Sequence, residues 1–290
     1  MKAKMQRVLL IIGLLTVFFS ISTATTPQTD SVKSDDGVMI YYDIYNPGHQ
    51  PLVFIHGWCS KGSLWQNQAE YFSKDFTVIT VDLAGHGRSG QNRTVWTMTA
   101  YGADIVSVLE KHNLKDAILV GHSMGGAVCI EAARQAKGRI KAIIGADTFQ
   151  NLSKKATEEE ITQFLTPFRQ NFKSMANTYI RSIFPQKTDS ALVNMIAEQV
   201  LSSPVHIAIG SLYQLFQYDA AEAVKDMRLP IRCINSDIYP TDISAARGLA
   251  ESFEVEFMKG YGHFVHLENP RMFNDILSRF LTEFRHMITE

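Results

Sequence analysis

Several short runs in this chain are apolar or nearly so: Pro51 to Ile55 and Ala117 to Val120 from end to end, Ile140 to Ile144 but for Lys141, with Phe76 to Val81 rich in β-branched residues. A strand with one wet face alternates apolar and polar residues. A continuous apolar run instead fits a parallel strand covered by helices on both faces. Helical stretches separate these runs. Thr94 to Lys111 places Ile105, Val108 and Leu109 on one face, and Met124 to Gln135 is a second candidate. Strand–helix–strand order of this kind predicts an α/β fold built on a doubly wound, mostly parallel sheet. One antiparallel element precedes it. Met39 to Tyr45 follows the turn signal Asp36-Gly37 and is expected to form a hairpin with Ser31 to Ser34.

The rhythm breaks between Asn151 and Asp226, where no strand is evident and several amphipathic helices are expected. Glu158, Glu159 and Glu160 fit the first turn of one of them, where acidic side chains favour the helix dipole. The apolar residues here are unusually aromatic, among them Phe164, Phe168, Phe172, Tyr179 and Phe216. Strand rhythm resumes at Ile231 to Ile234 and Phe253 to Met258, and a helix from about Pro270 to Met287 closes the chain. The expected organisation is a sheet domain formed by 25–150 and 227–290, with 151–226 as an inserted helical cap.

Residues 1–24 are read separately. Lys2, Lys4 and Arg7 are followed by an uncharged, mostly apolar run from Val8 to Ile21 and then by Ser22-Thr23-Ala24. This is the three-part pattern of a secretory signal peptide, with cleavage expected before Thr25. The protein is expected to be exported, either periplasmic or secreted; an uncleaved segment would anchor it to a membrane instead. With 28 basic and 29 acidic side chains, it lacks the basic footprint of a nucleic-acid partner. Cys59, Cys129 and Cys233 are widely spaced and have no metal-ligand spacing, so buried free thiols are expected rather than a disulfide framework or zinc site.

The chemistry centres on Gly121-His122-Ser123-Met124-Gly125-Gly126, which lies between a strand and a helix. A serine on such a sharp turn is exposed at the sheet end and at a helix N-terminus, where developing negative charge is favoured. Its hydroxyl needs a base, and the base needs an orienting acid. His263 sits in the loop between the last strand and the last helix and is the candidate base, with His266 as the rival. Asp237 follows the strand before the one that leads to His263 and ranks first as the acid; Asp147, after Ile140 to Ala146, is its rival. For the oxyanion, the candidate donors are the backbone N–H of Met124 and that of Trp58, with His56 and Gly57 shaping the Trp58 loop.

The set His56-Gly57-Trp58, Asp82 to Ser89, Gly121 to Gly126, Gly262-His263 and Leu267 to Pro270 resembles the α/β-hydrolase superfamily, in that family's order and over nearly the whole mature chain. The resemblance implies Ser123 as nucleophile, His263 as base, Asp237 as acid and a cap over the site, with His86 structural. Asn235-Ser236-Asp237 departs from the pattern, because it lacks the glycine usual before the acid. No cofactor or metal is expected. The expected partner is a small, apolar ester or lactone cleaved through an acyl-enzyme on Ser123. A carbon–carbon bond hydrolase and a ligand-binding receptor with little turnover are the alternatives.

Overall fold

The computed structural model describes residues 26–136, 138–225 and 227–286. The expected leader and its cleavage site lie outside them. The hairpin forms from β1 (Gln28–Lys33) and β2 (Met39–Tyr45), and Gly37 takes the positive φ of 90° that its turn requires. There follow β3 (Pro51–Ile55), α1 (Gln66–Phe72), β4 (Thr77–Val81), α2 (Met98–Lys111), β5 (Ala117–His122), α3 (Met124–Gln135) and β6 (Ile140–Ala146). The helical insertion comprises α4 (Glu158–Gln170), α5 (Phe172–Ser182), α6 (Ser190–Leu201), α7 (Val205–Gln217) and α8 (Ala220–Val224). The chain then returns to the sheet through β7 (Ile231–Ser236), α9 (Ile243–Leu249), β8 (Phe253–Met258), α10 (Val265–Glu268) and α11 (Pro270–His286).

The strands form one eight-stranded sheet in the order β1-β2-β4-β3-β5-β6-β7-β8. β1 and β2 pair antiparallel, β2 joins β4 antiparallel, and every later pairing is parallel. The end-to-end apolar runs have a simple cause. Along β3, Val53 and Ile55 belong to a core cluster shared with α2, α3 and the insertion, whereas Leu52 and Phe54 belong to a second cluster beneath α11. With a side-chain period of two, a strand buried on both faces has no solvent-facing position to offer. The sheet order reverses at β3, with β4 on one side and β5 on the other. The crevice outside the strand ends at such a switch point is where ligands bind in open α/β sheets.

Helix starts follow local chemistry. Thr97 caps α2 by accepting from Ala100 N–H, and Thr157 with Glu160 forms a reciprocal capping box on α4, as the acidic run anticipates. The three cysteines are buried free thiols. No single described helix is long and apolar enough to cross a membrane.

Candidate active site

β5 runs through His122 and α3 begins at Met124, so Ser123 alone makes the turn, with φ 51° and ψ −117°. A non-glycine residue held there costs on the order of 1–3 kcal/mol. Its neighbours over-determine it. Ser123 N–H donates to Ala146 O (3.1 Å), and Ser123 O accepts from Gly126 N–H and from Thr148 Oγ1 (both 2.9 Å). The flanking glycines are required by close approach: a Cβ on Gly121 would lie 2.4 Å from Gly125 O, and one on Gly125 would lie 2.5 Å from Ile55 O. Met124 then opens α3, so its N–H belongs to a first turn that lacks intrahelical acceptors.

The loop after β3 comes up beside the serine. A Cβ on Gly57 would lie 3.1 Å from Ser123 Cβ and 2.8 Å from His122 Nδ1. His56 holds that loop: its Nε2 accepts from Leu83 N–H (3.0 Å), which leaves Nδ1–H to donate to Gly57 O (2.8 Å). Trp58, the next residue, packs its indole edge-on against Phe168, Phe172 and Tyr179 of the insertion and donates Nε1–H to Ala208 O (2.8 Å). The Trp58 side chain thus binds the loop to the cap. His86 lies within the turn after β4, with Nδ1 donating to Ala84 O. Burial drives its pKa down to about 3, so it stays neutral.

His263 stands in the loop between β8 and α10, with its side chain 18% exposed. Its Nδ1 is 2.5 Å from Asp147 Oδ2, and the Asp147 side chain is fully buried. The other oxygen, Oδ1, accepts from Ser236 N–H at 2.7 Å. The structure therefore brings Asp147, not Asp237, to the histidine. Asp237 is exposed, and its Oδ1 accepts from Gly260 N–H at 2.7 Å, at the start of the same loop. Both aspartates directly follow a strand, but Asp147 sits at φ 45° and its backbone turns at once toward the site. His266 is not at the site's surface: it is buried, stacked on Trp65 at 4.0 Å, with its pKa pushed down to about 3 by burial.

Two contributors escaped the sequence reading. Asn235, fully buried at the end of β7, accepts from Thr148 N–H and donates to Thr148 O, clamping the segment that carries Asp147. His122 Nε2 donates to His263 O (2.9 Å) while its ring lies 4.7 Å from that of His263. Burial, and then the neighbouring His263 and His266, hold His122 far below the usual imidazole pKa. The one available signal was polarity, and it was clear only for His122, the one polar side chain of β5; Asn235 shares β7 with Arg232 and Ser236. Among the described residues, no group of three or more His, Cys, Asp or Glu is arranged to hold a metal ion.

The sequence profile of the alpha/beta hydrolase fold matches residues 50–202. The chain belongs to this family. A non-heme chloroperoxidase from Streptomyces lividans is 39% identical over 118 residues, covering 39% of this chain and 43% of that protein, so the match spans less than half of the relative's length. A karrikin insensitive 2 receptor from Petunia hybrida is 22% identical over 260 residues, covering 81% of this chain and 93% of the receptor. Among solved structures, an esterase from Exiguobacterium antarcticum superposes with a TM-score of 0.78 at 19% identity, covering 87% of this chain and 98% of the esterase, which is a likeness of fold.

Proposed function

We propose that the protein is a serine hydrolase that cleaves a carboxylic ester or lactone through an acyl-enzyme on Ser123. The observation that carries this reading is the 2.5 Å contact between buried Asp147 and His263 Nδ1, with Asp147 directly following the residue, Ala146, whose carbonyl accepts from the N–H of Ser123 on its strained strand-to-helix turn. A carboxylate accepts only, so Nδ1 carries the proton and the Nε2 lone pair is left to receive one from Ser123. In the first step Ser123 Oγ bonds to the substrate carbonyl carbon as its proton passes to His263, and Asp147 stabilises the imidazolium. The Met124 and Trp58 N–H groups hold the oxyanion. Collapse breaks the bond to the alkoxide, which takes the proton from His263. Water, deprotonated by the same histidine, then attacks the acyl-enzyme and frees the acid and Ser123. Asp147 replaces Asp237 as the acid in this reading.

An open cavity of about 490 Å³ on the insertion, lined by Ile161, Phe164, Tyr179, Leu215, Phe216 and Tyr218 together with Lys154 and Glu160, offers an apolar surface, although Ser123, Asp147 and His263 do not line it. Tyr179 is shared between that cavity and the aromatic cluster around Trp58.

A fluorophosphonate probe, together with hydrolysis of p-nitrophenyl esters and simple lactones, tests the reading. Labelling and turnover are expected in the wild type and absent in Ser123→Ala. The competing reading, favoured by the receptor relative that matches over 93% of its length, is ligand binding with little turnover. A folded wild type that neither labels nor turns over would select it.

A further inference from the structure

The loop that carries His263 is held from the cap side by one short segment, 183–188, which leaves the C-terminal end of α5. Ile183 is the C-cap of that helix, and its carbonyl accepts from His263 N–H at 3.0 Å. The last carbonyls of a helix have no intrahelical donor, so α5 completes its end with the main chain of the candidate base. Phe184 stacks face to face on Phe264, with centroids 5.3 Å apart and planes 9° from parallel, and both rings are buried. Lys187 Nζ lies 5.6 Å over the Tyr261 ring, and Thr188 Oγ1 donates to Glu268 Oε2 at 2.9 Å. The fit is tight enough to dictate a glycine: a Cβ on Gly262 would lie 2.7 Å from Ile183 O and 2.8 Å from Pro185 Cδ.

The core alone leaves this loop incompletely fixed. It supplies Asp147 to the ring, His122 to the carbonyl of His263 and Asp237 to Gly260, whereas the amide of His263 is met from the cap, and the Phe264 ring lies between His122 of the core at 4.7 Å and Phe184 of the cap at 5.3 Å. The same helix α5 also sends Phe172 and Tyr179 against Trp58.

We infer that segment 183–188 is a positioning element for His263, with Phe184 as its principal positioning residue, so that α5 sets the base and the oxyanion loop together. This rests on the reading of His263 as the base. A group held about 1 Å out of place costs on the order of a hundredfold in rate, and a loosened loop would be felt in kcat rather than in substrate affinity.

The test compares Phe184→Ala with the ring-retaining Phe184→Tyr, measuring kcat and KM on a p-nitrophenyl ester, the rate constant of fluorophosphonate labelling, and the deshielded proton of the His263–Asp147 pair by NMR. Phe184→Ala is expected to lower kcat and labelling by roughly ten- to a hundredfold with little change in KM, and to broaden or shift that proton. Phe184→Tyr should stay near wild type. Should Phe184→Ala fold poorly, Lys187→Ala/Thr188→Ala loosens the same clamp from its more exposed end, and a several-fold loss of kcat is expected. Wild-type kcat and an unmoved proton in both variants would overturn the inference, as would a change confined to KM, which would make Phe184 a substrate contact. An inert wild type would instead remove the hydrolase reading itself, and the inference with it.

Discussion

Replacing Asp147 with asparagine changes one atom and has a calculable consequence. Asp147 Oδ1 accepts from Ser236 N–H at 2.7 Å, and Ser236 is buried. Asparagine has one oxygen to offer. Turned with its NH₂ toward Ser236, it would leave a buried donor unsatisfied, at a cost of about 1–3 kcal/mol. It will therefore keep its oxygen on Ser236 and turn the NH₂ toward His263 Nδ1. Two donors cannot face each other, so His263 shifts to the tautomer with its proton on Nε2, where it can no longer accept from Ser123. A fixed wrong tautomer lowers kcat by about 10³–10⁴, which is a loss of about 4–5.5 kcal/mol in transition-state stabilisation. Steady-state ester hydrolysis by Asp147→Asn measures it, with folding checked by circular dichroism. Asp237→Asn is the control. Its amide oxygen still accepts from Gly260 N–H, and activity within about threefold of wild type is expected for so exposed a contact. An Asp147→Asn enzyme that keeps more than a tenth of wild-type kcat, or a larger loss in Asp237→Asn, would refute this reasoning.

Two further outcomes follow from the same geometry. Ser123→Gly should be more stable than Ser123→Ala by roughly 1–2 kcal/mol in urea titration, because glycine relieves the φ of 51° that alanine retains; a less stable glycine variant would mean that the turn is not strained. Acid should destabilise the fold well above the carboxylate range. His86 and His266 are buried neutral with pKa pushed down to about 3, below the unfolded value of about 6.5. The unfolded chain therefore binds more protons as pH falls through 6.5 toward 3, and stability drops. The two together remove about 4 kcal/mol between about pH 7 and pH 5, with His122 and His56 acting in the same direction. A urea midpoint that does not move over that interval would contradict their burial as neutral imidazoles.

The sheet and the elbow were legible because each is written locally. Burial on both faces leaves continuous apolar runs, and a serine between a strand and a helix with glycines at either side admits few other uses. Strand ends were less legible: β6 and β7 run on to Ala146 and Ser236, past the last strongly apolar residue of each run. That extension leaves Asp147 and Asp237 equally placed, one residue beyond a strand, and chain order and composition do not separate them. Contacts between distant segments, such as Ile183 with His263 or Asn235 with Thr148, leave no local periodicity at all. His122 was hidden for a different reason, since a polar side chain within the elbow motif reads as part of the turn until its Nε2 is seen on His263 O.

Register explains why the earlier aspartate holds the ring. β6 and β7 are parallel neighbours with Ala146 opposite Ile234, so as β6 ends, β7 continues through Asn235 and Ser236 beside it. Those two residues are spent on the segment that follows β6. Asn235 brackets Thr148, and the Ser236 amide occupies one oxygen of Asp147, which fixes the carboxylate with its second oxygen on His263. Asp237 emerges one step further along β7, and its carboxylate meets Gly260, the residue at φ 76° where the histidine loop leaves β8. The two aspartates thus grip one loop at two points, Asp237 at its root and Asp147 at the imidazole. Asn235 needs its side chain to hold Thr148, whereas Ser236 serves Asp147 through its backbone N–H. Moving the acid back, as Asp147→Asn combined with a new carboxylate near 237, should therefore fail to restore turnover unless the Asn235 clamp is rebuilt as well.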